Sequence, residues 1–495
     1  MGEATVSLLP AAAVLPALAA ATLILFSGRR PNLREAWSLG AAVLQSWAVI
    51  AMIPAALAGG ALELRLVELS PGVSLALRAD ALGLVFAALS SVLWLLTTLY
   101  SIGYVRALDE HAQTRYFFCF AVCVGAAVGV ALSANLLTFF LFYELLTVAT
   151  YPLVVHKETP EAIRAGRVYL GYTLGAGTAL LAGVAVTYVA AGTLEFRPGG
   201  LFSGDTAAGT IWLVFALLGL GVGVKAAVIP LHAWLPLAMI APTPVSALLH
   251  AVAVVKAGVF GTLRVVGYVL GPDALAASGA WLVLAWIAAA TIVLASLAAL
   301  LQDNLKRLLA FSTVSQLSYI VLGAALATTG SLTGAVQHMV NHGTLKITLF
   351  FCAGAIYVAT GRERVSELAG LGRRLPVTMG VFAVAALGLA GVPPAAGFLS
   401  KWYLIGGAVE AGFWPAVVVY LSSSLLNLAY FVPIVIAAFF RPLRGGDDLE
   451  EPSLMMLVPL VLTATAGVLL GLAPDVPVAF LSLAATAAAD MLGGR

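Results

Sequence analysis

Charge is what this sequence has least of. Only 10% of the 495 residues are Asp, Glu, Lys or Arg, against about 25% in a soluble domain. No polar stretch is much longer than about 20 residues, near 58–80, 192–209 and 360–375, which leaves no room for an extramembrane domain. Cysteine is nearly absent: Cys119, Cys123 and Cys352 sit in apolar runs without metal-ligand spacing, as small buried hydrophobes. There is no phosphate loop, dinucleotide fingerprint, CxxC pair or sequence cluster of Cys, His or Asp at metal spacing. No cofactor is therefore expected, and any energy for transport must come from an ion gradient or from partner subunits. The net charge of +2 gives no basis for a nucleic-acid partner.

What remains is 62% hydrophobic. At roughly 20 residues per crossing, the apolar runs predict an all-α polytopic membrane protein of about 14 helices. They begin near Val6, Trp37, Ala81, Tyr116, Leu136, Ala162, Thr210, Thr243, Ala280, Leu305, Leu332, Leu375, Phe413 and Leu454. Glu3 stands where a signal peptide would carry a basic residue, so the first run is expected to be a retained helix. The stretch 58–80 alternates apolar and polar residues around Pro71-Gly72 and predicts a short hairpin over one surface.

The few charges orient the chain. Sixteen of the 25 basic residues fall in alternate loops: Arg29, Arg30 and Arg34; Arg106 and Arg115; Lys157, Arg164 and Arg167; Lys306 and Arg307; Arg362, Arg364, Arg373 and Arg374; Arg441 and Arg444. The opposite loops and termini hold Arg65, Arg78, Arg197 and Arg495. The positive-inside rule makes the first set cytoplasmic and puts both termini on the outer face of the cell (inner) membrane.

The other five basic residues, Lys225, Lys256, Arg264, Lys346 and Lys401, lie inside predicted spans. A charge at mid-membrane costs at least about 2.5–3.5 kcal/mol, so a chain that keeps one uses it. Lys225 precedes Pro230 in the seventh span, and Lys401 follows Pro393-Pro394 in the twelfth; both spans are expected to be broken. Interrupted helices in corresponding halves point to a transport site within inverted repeats. The division is 1–110 (helices 1–3), 115–270 (helices 4–8), 279–440 (helices 9–13) and 441–495 (helix 14 and tail).

Glu144 is the acid placed well inside a span, and Lys225 is its natural partner because each charge offsets the other's desolvation. His250 and Lys256, six residues apart on one helix, should point about 120° apart, one back toward Lys225 and one forward. His338, His342 and Lys346 recur every four residues and share one stripe, with Ser312, Thr313, Ser315, Gln316 and Ser318 of the tenth span available to hold water beside them. Buried lysine and histidine both exchange protons near neutral pH. Glu410 reads as an interfacial acid, and Arg264 as either a helix anchor or part of an exit.

The stretches LFYELLTVATYPLV, VKAAVIPLHAWLPLAMIAPTPVSALLHAVAVVKAGVFGTLRV, LQDNLKRLLAFSTVSQLSYI, HGTLKITLFFCAGAI and GVPPAAGFLSKWYL resemble the antiporter-like subunits shared by Mrp-type multisubunit cation/proton antiporters, respiratory complex I and membrane-bound hydrogenases. The resemblance implies 14 helices in two inverted five-helix repeats with helices 7 and 12 broken. It implies proton transport through Glu144, Lys225, His250, Lys256, His338, His342 and Lys401, to which the stripe adds Lys346. The partners implied are other membrane subunits, protons and monovalent cations. Lys401 within PPAAGFLSKW is similar to the D-type member of the Mrp antiporters. The alternative it implies is a non-redox pumping subunit of a complex I-like or hydrogenase complex.

Overall fold

The computed structural model describes residues 5–443 and 449–494; Glu3, Arg444 and Arg495, used above, lie outside them. Among the described residues, 13 helices are long and apolar enough to cross a membrane. They are α1 (Leu9–Phe26), α2 (Pro31–Leu57), α3 (Ala81–Ala107), α4 (Gln113–Ala131), α5 (Leu136–Val154), α6 (Pro160–Ala191), α7 (Ala208–Lys225), α8 (Thr243–Leu270), α9 (Ala280–Leu300), α10 (Leu305–Leu326), α11 (Thr329–Thr360), α13 (Trp414–Phe440) and α14 (Leu454–Leu472). The twelfth position holds two 15-residue halves, α12a (Pro376–Ala390) and α12b (Ala396–Glu410). Lipid leaves the backbone no option but internal hydrogen bonding, which is why apolar runs alone located these elements. The second helix starts at Pro31, six residues before the expected Trp37, because proline at the first turn is preset for helix.

The hairpin forms as expected: β2 (Leu62–Ser70) pairs antiparallel with β3 (Val73–Ala79) around Pro71-Gly72, and β1 (Thr5–Val6) adds in parallel to β2. A short helix not anticipated from sequence, α15 (Phe480–Met491), packs back on α3 and α11. Its Leu483, Ala484, Ala487 and Met491 are fully buried.

Four local landmarks recur 169 residues apart. Asn135 and Asn304 cap α5 and α10; Thr159 and Thr328 cap α6 and α11, both of 32 residues. Gly192 and Gly361 end those long helices in left-handed geometry, and Glu195 and Arg364 then bridge back to the two capping asparagines. The landmarks also trade ends. Thr328 shares a cleft with Pro198 and Gly199, close to Glu195, whereas Thr159 shares one with Asn304. The hairpin covers the first end through the Asn135 amide, which donates to the Ser74 carbonyl at 2.8 Å.

Every residue of α8 is buried, and α11 is buried from Ser331 to Ile356. These two helices form the centre of the bundle and carry five of the eight expected titratable groups.

Candidate functional site

Lys225, His250, Lys256, His338, His342 and Lys346 have no exposed surface, and Lys401 retains 4%. Each ammonium must therefore find protein partners.

Lys225 is the last residue of α7. Beyond it the chain leaves the helix, and the backbone groups this frees are taken up locally. The Trp234 indole donates to the Val224 carbonyl at 2.8 Å, and the Ile229 amide donates to Thr291 Oγ1 at 3.0 Å. At the second break the Asn341 amide donates to the Ala396 carbonyl at 2.6 Å. Lys401 Nζ donates to the carbonyl of Ala390, the last residue of α12a, at 2.8 Å, and to Ser424 Oγ at 3.1 Å. Lysine precedes the break in one helix and follows it in the other: Lys225 closes α7 and reaches across to α5, whereas the Lys401 ammonium returns to the C-terminal end of α12a. The helix dipole favours a cation there.

The expected Glu144–Lys225 ion pair is not closed. Lys225 Nζ donates to the Tyr143 carbonyl and lies 3.3 Å from the centroid of the Tyr143 ring. Among the described residues the two charges form no ion pair within 4.0 Å, although each acts electrostatically on the other. The cause is angular. Consecutive residues on a helix diverge by about 100°, so buried Tyr143 faces α7 while half-buried Glu144 turns toward α6. There a Cβ at Gly177 would lie 2.5 Å from Glu144 Oε1, an oxygen without a hydrogen-bond partner.

The regular helix assumed between His250 and Lys256 is interrupted. Leu248–Val252 forms a wider π-type turn, and Ala253 at φ −119°, ψ −82° interrupts α8 between the two residues. Such turns inside α-helices are frequent at functional positions. His250 packs at a tilt against Phe350, ring centroids 4.7 Å apart, with neither ring nitrogen bonded to protein. Lys256 Nζ meets His342 Nδ1 at 2.7 Å. One proton lies between these two nitrogens whichever of them carries it, and the contact joins α8 to α11.

The stripe on α11 is present, but its members reach three different helices. His342 contacts α8. His338 Nδ1 lies 2.9 Å from Ser400 Oγ of α12b, next to Lys401. Lys346 Nζ donates to Ser312 Oγ of α10 at 2.9 Å and to the Leu309 carbonyl at 3.3 Å. One turn along α10 from Ser312, both amide atoms of Gln316 are buried without a partner, as is Ser318 Oγ. A polar site of this kind, without a protein partner, suits a bound water. Ser315 instead bonds Ser296 and Ser423, and the Thr313 hydroxyl returns to its own helix at Leu309.

Sequence reasoning missed three contributors. Tyr143 lies under Lys225. Tyr319 stacks on His338 at 5.3 Å and has Lys401 Nζ 5.4 Å from its ring centroid, so it fills the space between those two groups. Gly258 sets the approach of α8 to the first break, since a Cβ there would collide with the Ala226 nitrogen. Their signal was spacing from the charged residues, which means nothing until the helices are packed.

Arg264 proves to be an anchor. It is only 1% exposed and forks onto Asp80, Nη1 to Oδ2 at 2.6 Å and Nη2 to Oδ1 at 2.7 Å. Asp80 in turn caps α3 through the Gly83 amide. Exposed Glu410 accepts from the Gly330 amide at 3.3 Å and supports the start of α11.

Residues 133–427, more than half the chain, match the family described as NADH:quinone oxidoreductase/Mrp antiporter, TM. The N subunit of NADH-quinone oxidoreductase from Desulforudis audaxviator is 34% identical over 81% of this chain and 82% of its own length. The A/B subunit of a probable K(+)/H(+) antiporter from Rhizobium meliloti is 33% identical over 88% of this chain, and the A1 subunit of the Na(+)/H(+) antiporter from Staphylococcus aureus 31% over 82%. This chain spans about half the length of those two proteins, 44% and 53%. A chain of the Mrp complex from Dietzia sp. DQ12-45-1b superposes with a TM-score of 0.88 at 24% identity, covering 98% of this chain and 97% of that one. A chain of the archaeal membrane-bound sulfane sulfur reductase also gives 0.88, at 25% identity with 98% of each covered. With matches of this extent, the chain belongs to the NADH:quinone oxidoreductase/Mrp antiporter transmembrane family.

Proposed function

We propose that this chain is the proton-translocating subunit of a multisubunit monovalent cation/proton antiporter of the Na+/H+ type. Protons move along the membrane midplane through Glu144, Lys225, His250 or Lys256, His342, His338 and Lys401, with Lys346 beside the line. The observation that carries this reading is the 2.7 Å contact between Lys256 and His342, two wholly buried titratable groups from different halves of the chain. A structural ion pair would use opposite charges; two proton acceptors in contact suit transfer.

In this reading 115–270 and 279–440 are the two inverted repeats, preceded by 1–110 and followed by 441–495. The recurrence at 169 residues with exchanged ends supports it. The chain sits in the cell membrane with both termini outward, is itself no enzyme, and works with other membrane subunits. Lys401 within PPAAGFLSKW favours the D-type position among those subunits. Separation of Glu144 from Lys225 is one half of the cycle; closure of the pair is the other.

Lys225→Ala tests this. Vesicles containing the assembled complex should lose proton flux while the variant still inserts, and full flux would overturn the relay. A second reading has a specific observation behind it: the NADH-quinone oxidoreductase relative matches over 82% of its length, the antiporter relatives over about half. In that reading the same relay is driven by redox chemistry in neighbouring subunits. Purification from native membranes distinguishes the two, because the redox complex brings iron–sulfur subunits with it.

A further inference from the structure

Outside the relay, at the basic end of the molecule, the turn between α3 and α4 and the turn after α5 bring Glu110, His111 and His156 together. One ligand atom from each lies within 4.8 Å of the other two. His156 is far from the other two in sequence, so spacing alone gave no sign of the cluster.

His156 is the decisive member. Its side chain is 1% exposed and neither ring nitrogen has a hydrogen-bond partner, yet Nε2 faces Glu110 Oε2 at 3.8 Å. A buried polar ring left unbonded is costly unless something satisfies it. The ring is also held in place: His111 stacks on it with centroids 4.8 Å apart, Tyr116 meets it edge-on at 5.7 Å, and Arg115 donates to its backbone carbonyl at 3.2 Å. The Arg115 charge works against a cation here, and Glu158, paired with it at 2.5 Å, offsets it. Glu158 Oε1 also comes within 3.9 Å of His111 Nε2. The open side is formed by His111, which is half exposed.

We propose that Glu110, His111 and His156 form a binding site for a divalent transition-metal ion of the zinc class. Two imidazoles and one carboxylate are a zinc donor set, with nitrogen and oxygen ligands about 2.0–2.2 Å from the ion and a fourth position for water. Calcium and magnesium are disfavoured because they take oxygen ligands. Ligand atoms on one tetrahedral ion stand about 3.4 Å apart, so the present spacing closes by rotation of Glu110 and His111 around the fixed His156. A bound ion ties the α3–α4 turn to the end of α5, the helix that carries Glu144.

The test uses the full chain in detergent, without a polyhistidine tag, stripped with EDTA and titrated with zinc chloride by calorimetry. About one zinc per chain is expected, and His156→Gln should weaken binding on the order of tenfold or more. Because His156 is buried, Glu110→Gln with His111→Gln provides a second variant on the open side, expected to show the same loss with unchanged thermal unfolding. Zinc binding to the unmodified chain no tighter than to that double variant, or absent altogether, overturns the site.

Discussion

Replacing His342 tests the relay where its two halves meet. Among the described residues the His342 ring is the hydrogen-bond partner of Lys256 Nζ, at 2.7 Å, and both side chains are fully buried. A hydrogen bond to a charged group contributes about 1.5–3 kcal/mol. If that stabilisation is lost along the proton path, at about 1.4 kcal/mol per factor of ten, proton flux falls by roughly 10- to 150-fold. His342→Ala also leaves a cavity, so His342→Gln is the sharper variant: its amide can still accept from Lys256 but cannot pass a proton on. The assay is dye-monitored acidification of everted vesicles containing the assembled complex, with thermal unfolding in detergent as the control for packing. His342→Gln should keep the unfolding midpoint near that of the parent and lose flux. Retention of more than half the parental flux would refute the proposal that protons pass through this contact.

Three further outcomes follow from the geometry. Lys401→Arg keeps a cation beside the Ala390 carbonyl and Ser424 but cannot deprotonate, so the complex should assemble normally and lose flux in the same vesicle assay. Gly177→Ala adds a methyl 2.5 Å from Glu144 Oε1; the flexible carboxylate moves aside at little cost to folding, and a drop in flux with unchanged thermal unfolding is expected. Asp80→Asn strands the buried Arg264 guanidinium, and breaking a buried pair this way costs about 3–5 kcal/mol. Thermal unfolding should show that loss, and Asp80→Asn combined with Arg264→Met should recover much of it; a single variant as stable as the parent would remove Arg264 from its anchoring role.

The helices and the charged residues were legible in the sequence for one reason. In lipid a spanning segment must be apolar for about 20 residues and satisfy its own backbone, so each departure, Lys225, Lys256, Lys346, Lys401 or a proline pair, stands out against a nearly uniform background. The same uniformity hid the partners. Tyr143, Tyr319, Gly177 and Gly258 are ordinary residues of apolar helices until another helix is laid against them. Asp80 falls at a helix start where its cap is predictable, but the 184 residues between it and Arg264 are not. His156 lies 45 residues beyond His111 and gains significance only when the 108–112 turn folds against it.

The order of residues alone thus sets the solvent, the approximate number of crossings, the two broken helices and which side chains can carry a proton, because desolvation penalises each of these choices residue by residue. Packing settles who meets whom. Lys225 rests on Tyr143 with Glu144 turned away, since neighbours on a helix diverge by about 100°. Lys256 meets His342 because an extra-wide turn re-aims α8 at α11. Lys401, reached only after the second break, folds back onto the C-terminal carbonyl of the half-helix before it, because the helix dipole acts on where an ammonium stands in space and not on when it is reached in sequence.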